Sequence, residues 1–183
     1  MFSILLPKLI SLTSKVGKTI MTLHNENIGF IVKSDNTPLT QADKISHSLI
    51  TEALKEITPN APILSEESKK IPFSIRKNWD GYWLIDPLDG TRDFLDGTQE
   101  FCISIAYIVN NYPVFGLIYA PFDKIHYYRL PGQNSIKLVD NIVTNFTLKS
   151  LDAGKILSLV DIQQKIKNSK STFDQRLILK FSA

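Results

Sequence analysis

The sequence predicts a mixed α+β fold in which two amphipathic helices precede a largely antiparallel sheet. Three observations indicate this class. Apolar residues recur every three or four positions in two early segments, a short apolar run stops abruptly at an acidic residue, and three later apolar segments follow one another across short, turn-rich connections. With 183 residues, 43% of them apolar, the chain has enough material for one buried core.

The first predicted helix begins at Leu9. Its apolar residues recur at spacings of three and four, which is typical of one helix face packed on a core. They are Leu9, Leu12, Val16, Ile20 and Leu23.

The same N-terminal stretch raises the question of a membrane anchor. No basic region precedes it, and Pro7, Lys8 and Lys15 interrupt the apolar run before it reaches the roughly 18 residues of a membrane span. The pattern favours packing on the core. Contact of this helix with the inner face of the cell membrane remains the alternative.

A second helix is predicted to begin at Thr40. Residues 29–33 favour a short strand and residues 34–38 are rich in turn formers, whereas apolar residues recur every four positions after Thr40. Thr40 with Asp43 three positions later is typical of a capping box. Pro59 ends the helix.

Two short strands are predicted to end in acidic residues. Residues 63–64 lead directly into Ser65-Glu66-Glu67, and the uninterrupted apolar run 82–85 stops at Asp86. Such a run is typical of a strand covered on both faces.

Three β segments follow, at residues 101–109, 114–120 and 125–130, and their short connections indicate an antiparallel meander. Residues 136–150 have room for one or two more strands. We therefore predict an α+β domain over residues 1–150 and an atypical tail over residues 151–183, where no periodicity or motif is found.

The charge balance and the single cysteine limit the classes of function and the cellular setting to be considered. Twenty-one basic and eighteen acidic residues are spread along the chain, which gives no case for nucleic-acid binding. Cys102 is the single cysteine and lies in an apolar stretch, so we expect a buried structural thiol and a reducing, cytoplasmic setting.

The most informative segment is Asp86-Pro87-Leu88-Asp89-Gly90-Thr91. Carboxylates beside an apolar core must be paired or hold a cation, and oxygen-only ligands suit Mg²⁺. Gly90 lets the backbone approach an oxyanion, and amides at the start of a short helical turn can donate to phosphate. An ordinary Asp-Gly turn is the alternative.

A second enzyme class is excluded by one position. The sequence from Leu88 to Thr91 is similar to the Asp-x-Asp-Gly-Thr loop of phosphatases with an aspartyl nucleophile. The nucleophile would stand at position 87, which is Pro87.

Two further acidic pieces have open interpretations. Glu66 and Glu67 supply either a metal ligand or only a solvated acidic loop. Asp43 serves either the site or only the capping box of its helix.

Together, residues 35–43, 63–67 and 83–94 closely resemble the inositol monophosphatase superfamily in order and spacing. Their detailed form is most similar to the CysQ-type 3'(2'),5'-bisphosphate nucleotidases. The resemblance covers residues from the first helix to about 130. It implies a layered α/β sandwich, of which this chain would contain only the N-terminal α+β portion.

The resemblance also implies a set of metal ligands. Glu66, Asp86 and the Leu88 carbonyl would bind one Mg²⁺, and Asp86 would bridge to a second ion held by Asp89. Glu66 and residues 88–91, Gly90 among them, would contact the substrate phosphate. Thr91, oriented by Asp43, would position the attacking water.

By the same resemblance the substrate is adenosine 3',5'-bisphosphate, cleaved to AMP and phosphate. An inositol monophosphatase-like activity is one alternative. The family's C-terminal Trp-Asp-x-Ala-Ala-Gly motif is not found, and both tryptophans, Trp79 and Trp83, lie upstream of where it would stand. A truncated, inactive fragment that binds only metal or phosphate is therefore a second alternative, as is a partner chain carrying the missing half.

Overall fold

The computed structural model describes residues 1–25, 30–32 and 38–146. The predicted tail at residues 151–183 lies outside these residues, as do 26–29, 33–37 and 147–150. The helices are α1 (Phe2–Asn25), α2 (Gln41–Ile57), α3 (Phe73–Arg76) and α4 (Thr91–Leu95). The strands are β1 (Phe30–Val32), β2 (Pro38–Thr40), β3 (Ile63–Ser65), β4 (Gly81–Asp89), β5 (Cys102–Val109), β6 (Tyr112–Ala120), β7 (Ile125–Arg129), β8 (Ser135–Val139) and β9 (Ile142–Phe146).

Helix α1 begins at Phe2, seven residues before the predicted start, and continues through Pro7. Proline cannot donate the backbone hydrogen bond of that turn. Aromatic packing at the first turn offsets the loss, since the Phe2 ring stacks on Phe115 at 5.0 Å and meets Trp83 edge-on at 6.2 Å. Tertiary contact therefore extends the helix beyond the periodic pattern.

The apolar face of α1 packs on the core, as predicted. Leu9, Val16 and Ile20 are completely buried, and the partly buried Leu12 and Leu23 pack against the same core. No helix within the described residues is long and apolar enough to cross a membrane. The apolar face that membrane contact would use is covered by the core.

Helix α2 has the predicted capping box. The Thr40 hydroxyl accepts a hydrogen bond from the Asp43 amide, and the Asp43 carboxylate accepts from the Thr40 amide. The helix ends at Ile57, two residues before Pro59. Strand β2, which leads directly into Thr40 and pairs antiparallel with β1, was not predicted, because Pro38 stands among the turn formers.

The main sheet has seven strands in the order β3-β4-β5-β6-β7-β8-β9. Strand β3 runs parallel to β4, and every later pair is antiparallel, which confirms the predicted meander. The β5–β6 turn is formed by Asn110 and Asn111 and the β8–β9 turn by Asp140 and Asn141, all with positive φ. Asn and Asp tolerate this conformation better than other residues with side chains.

The core lies between α1, α2 and one face of the sheet. On β4, Trp83 and Ile85 point into it and are 0% and 2% exposed, whereas Leu84 between them is 40% exposed. The prediction that residues 82–85 are covered on both faces is therefore wrong. Continuous apolar sequence cannot distinguish one covered face from two when the second face keeps apolar side chains.

Candidate active site

Asp43 and Thr91 join the start of α2 to the start of α4. The Thr91 hydroxyl lies 3.1 Å from Asp43 Oδ1 and 3.1 Å from the Leu88 carbonyl oxygen. Asp43 Oδ2 accepts hydrogen bonds from the Thr40 amide at 2.7 Å and the Thr40 hydroxyl at 2.5 Å. Asp43 is only 2% exposed. The capping box and the contact with Thr91, considered as alternatives for Asp43, are therefore both present.

A bulge separates Asp86 from Asp89 on β4. Asp86 stands opposite Ser104 on β5 and Asp89 stands opposite Cys102, so three steps on β4 match two steps on β5. Residues directly opposite one another in an antiparallel pair share a face. Cys102 and Ser104 are two residues apart on β5 and therefore face the same side of the sheet, so Asp86 and Asp89 face that side too. In a regular strand, two residues three apart would face opposite sides.

Contacts of Cys102 agree with this placement. Its thiol donates to Asp89 Oδ2 at 3.5 Å and lies 3.8 Å from the Ser104 hydroxyl. Cys102 is 6% exposed, so the predicted burial of the thiol is confirmed. Its contact with Asp89 was not predicted, because the pairing across the bulge has no signal in the local sequence.

Gly90 links the acids to α4. Its φ is +90°, and an added Cβ would lie 2.7 Å from the Glu100 carbonyl oxygen and 3.2 Å from Phe101 Cα. The predicted approach of an oxyanion to the backbone of Gly90 stays a prediction. The space beside Gly90 is occupied by the chain's own backbone, and the positive φ is a second reason for glycine.

Helix α4 starts at Thr91, as expected for a short helical turn, and Phe94 is buried in the core. The first amides of a helix have no intrahelical acceptor. The amides at the start of α4 therefore point toward the N-terminal end of the helix, where the Asp86–Thr91 loop lies.

Strand β3 brings the second acidic segment alongside the first. Ser65 pairs with Ile85 in parallel register, and the Glu66 amide donates to the Ile85 carbonyl at 3.1 Å. The backbone of Glu66 therefore lies next to that of Asp86. The side chain of Glu66 is exposed, whereas Asp86 and Asp89 are half-buried.

The predicted ligands fit Mg²⁺ in chemistry but do not form a closed cluster. All of them are oxygen donors, which Mg²⁺ prefers. Within the part of the chain that the structure describes, no three histidine, cysteine, aspartate or glutamate side chains come together closely enough to hold a metal ion. The ligand set of Glu66, Asp86, Leu88 and Asp89 stays a prediction.

Sequence reasoning missed His47 and Ser65. His47 Nδ1 lies 2.8 Å from the Ser65 hydroxyl, which links α2 to the end of β3. Burial lowers the pKa of His47, Glu67 raises it to a smaller extent, and Lys55 lowers it. The available signal was the position of His47, four residues after Asp43 and so on the same helix face.

Comparison with known proteins identifies the family of the chain. The model of the inositol monophosphatase family matches residues 5–175. The chain belongs to the inositol monophosphatase family. The predicted resemblance is thereby confirmed.

Within the inositol monophosphatase family, the chain is similar to CysQ proteins. It is 34% identical over 155 residues to the 3'(2'),5'-bisphosphate nucleotidase CysQ of Aggregatibacter actinomycetemcomitans, covering 85% of this chain and 58% of the relative. The crystal structure of CysQ from Bacteroides thetaiotaomicron matches with a TM-score of 0.59 at 34% identity, covering 85% of this chain and 52% of that one. These matches confirm the predicted α/β fold and the likeness to CysQ.

The crystal structure of an IMPase/NADP phosphatase complexed with Mg²⁺ and phosphate also matches, with a TM-score of 0.63 and 23% identity. The match covers 72% of this chain and 50% of that one. At this identity, the likeness supports only the fold of this chain. The chain spans about half the length of the relatives it matches.

Proposed function

We propose that the chain carries the metal- and phosphate-binding part of a Mg²⁺-dependent phosphomonoesterase that cleaves the 3'-phosphate of adenosine 3',5'-bisphosphate. The observation that carries the proposal is the contact of Thr91 with both Asp43 and the Leu88 carbonyl. It fixes a hydroxyl at the end of a strand that carries two acids on one face. The named activity of the CysQ relatives supports the nucleotide substrate.

In this proposal Glu66, Asp86 and the Leu88 carbonyl hold one Mg²⁺, and Asp86 and Asp89 hold a second. Bound there, Mg²⁺ would offset charge on the phosphoryl oxygens and lower the pKa of water. The Leu88 carbonyl oxygen lies 3.1 Å from the Thr91 hydroxyl, and when that hydroxyl donates its proton to Asp43 the carbonyl lone pairs are available for this role. The bulge supports the assignment because it turns Asp86 and Asp89 to one side.

Thr91 and Asp43 act on the attacking water. When the Thr91 hydroxyl donates its single proton to the Asp43 carboxylate, its oxygen is left to accept a hydrogen bond. Water that donates to this oxygen is oriented with a lone pair directed at phosphorus. The two contacts of Asp43 Oδ2 with Thr40 hold the carboxylate in place. No covalent enzyme intermediate is required.

The phosphate is bound by the loop between Leu88 and Thr91, with Glu66 at its edge. Amides at the start of α4 serve as donors to the phosphate oxygens, in keeping with its position directly after the acids. The loop from Leu88 to Thr91 contains no group that recognises adenine. Substrate preference therefore rests on the relatives' named activity.

The reducing, cytoplasmic setting proposed for the chain rests on its single, buried cysteine. The partner chain and the membrane contact considered from the sequence have no support in the relatives or in the described residues. The inositol phosphatase alternative uses the same acids and differs only in the leaving group.

Phosphate release by the purified 183-residue chain tests the proposal. Adenosine 3',5'-bisphosphate and inositol 1-phosphate are compared, each with and without Mg²⁺. We expect Mg²⁺-dependent release from the nucleotide that is lost in Asp89→Asn. Faster release from inositol 1-phosphate would favour the alternative substrate, and no release from either would favour a fragment that only binds metal or phosphate.

Mg²⁺ affinity tests the ligand assignment separately. Asp86→Asn removes the carboxylate shared by both ions, so calorimetric binding of Mg²⁺ should be lost. Unchanged affinity in this variant would overturn the placement of the metal, whatever the activity of the chain.

A further inference from the structure

Helix α2 contacts both acid-bearing strand ends. Near its start, Asp43 accepts from Thr91 in the loop after β4. One turn later, His47 Nδ1 meets the Ser65 hydroxyl at the end of β3 at 2.8 Å. Residues four apart lie on the same face of a helix. A single helix face thus holds the ends of two neighbouring strands.

The end of β3 is held by its pairing with β4 and by hydrogen bonds of the turn that follows it. Strand β3 is three residues long and stands at the edge of the sheet, with β4 as its paired neighbour. Beyond it, the Glu66 amide donates to Ile85 O at 3.1 Å and the Glu67 amide donates to the Ser65 hydroxyl at 3.3 Å. The Ser65 hydroxyl therefore holds the Glu67 amide within a turn that the Ser68 amide also closes, by donating to the Ser65 carbonyl at 3.1 Å.

The hydrogen-bonding capacity of Ser65 matches these contacts. A hydroxyl donates one proton and accepts through two lone pairs, so Ser65 can accept from the Glu67 amide and donate to a neutral imidazole. The hydroxyl is nearly inaccessible to water, since Ser65 is 5% exposed. A buried hydroxyl whose partner is removed loses the full value of that hydrogen bond.

We infer that His47 is a positioning residue that acts through Ser65 to hold the Glu66–Glu67 turn beside the loop from Asp86 to Thr91. The inference rests on the proposed function where it concerns metal binding, since Glu66 is a proposed ligand. It also makes a claim about the turn that is independent of any metal. His47 does not touch substrate or metal in this role.

Hydrogen exchange of backbone amides tests the claim about the turn. In His47→Phe, which keeps a ring but removes the nitrogen, the Glu67 amide should exchange about ten-fold faster, as expected when one hydrogen bond is lost. His47→Asn, whose side-chain amide can occupy the place of Nδ1, should restore protection. Ser48→Ala is the matched control, because Ser48 bonds Glu52 on the exposed side of the same helix.

The exchange result separates positioning from general helix packing. A positioning role predicts faster exchange at Glu66 and Glu67 with unchanged exchange along α2. Equal loss of protection throughout α2, or no change at Glu67, would overturn the inference.

Calorimetric titration with Mg²⁺ tests the consequence for the site. Supporting residues behind metal ligands typically alter metal affinity by about 10- to 100-fold, so His47→Phe should weaken binding by about ten-fold and His47→Asn should recover most of it. Equal Mg²⁺ affinity in His47→Phe and the natural chain would overturn this part. If the natural chain binds no Mg²⁺, the proposed function fails, while the exchange experiment still decides whether His47 positions the turn.

Discussion

The side chains of Asp43 and Thr91 meet at 3.1 Å although 48 positions separate them in the chain. The contact joins the first turn of α2 to the first turn of α4, and the Asp43 carboxylate that makes it also receives both donors of Thr40. One buried carboxylate therefore stabilises a helix start and fixes the direction of a distant hydroxyl.

Replacing Asp43 with Asn tests this double role. The Asn side chain places an NH₂ group where a carboxylate oxygen now accepts hydrogen bonds from Thr40 and Thr91. We therefore expect a loss of about 1–3 kcal/mol in the free energy of unfolding. Phosphate release should fall as well, since Thr91 loses its carboxylate acceptor and keeps only the Leu88 carbonyl. Urea unfolding measures the first effect. Asp123→Asn, at an exposed position, is the control and should change stability by less than about 0.5 kcal/mol.

Gly90→Ala should be strongly destabilising. Its Cβ would meet the Glu100 carbonyl at 2.7 Å, and the φ of +90° is unfavourable for alanine. We expect a loss of about 3 kcal/mol or more. Gly97→Ala is a matched control, because φ is +72° there but nothing lies within 4 Å of the added Cβ, and it should cost only about 1 kcal/mol. Equal melting temperatures for the two variants would contradict the close approach at Gly90.

Stability should decrease in acid because of His126. Burial lowers the pKa of His126 to about 4, while a backbone hydrogen bond with Ile10 opposes the shift. The ring contacts the Thr13 hydroxyl at 3.1 Å and stacks on Tyr119 at 4.1 Å. Between pH 6.5 and about 4 the unfolded chain binds a proton that the folded chain does not, so the free energy of unfolding falls as the pH is lowered.

The size of this effect should be on the order of 2 kcal/mol, and it is fully developed below about pH 4. Urea unfolding at a series of pH values measures it. In His126→Gln, the decrease in the free energy of unfolding between pH 6.5 and about 4 should disappear. A variant with the same pH dependence as the natural chain would show that another group is responsible.

Cys102 should react slowly with thiol reagents in the native chain. At 6% exposure, the thiol becomes accessible only when the surrounding sheet opens. As the single cysteine, it should give one equivalent of product in denaturant. Phe122→Cys adds a second thiol at a position that is 41% exposed, and this thiol should react about 100-fold faster. Similar rates for the two thiols would contradict the burial of Cys102.

Local patterns predicted much of the fold. The start of α2 follows from Thr40 and Asp43, because a capping box is complete within four residues. The antiparallel order from β5 to β7 follows from short connections. Both features depend on residues close together in the chain, so a single sequence contains their full signal.

Features set by distant partners were missed. The bulge on β4 depends on pairing with Ser104 and Cys102, and the link from His47 to Ser65 spans 18 positions. The exposure of Leu84 depends on whether other parts of the chain cover the second face of the sheet. The apolar residues next to Leu84 in the sequence give no information about that covering. Asp43 shows both cases, since its capping role is local and its contact with Thr91 is not.

The bulge between Asp86 and Asp89 makes the spacing of these acids sensitive to chain length. Removing one residue between them would restore regular pleating at a spacing of two, and both acids would stay on the same face of the sheet. A loss of one codon at position 87 or 88 would therefore remove the extra residue of the bulge and leave the two acids side by side on one face.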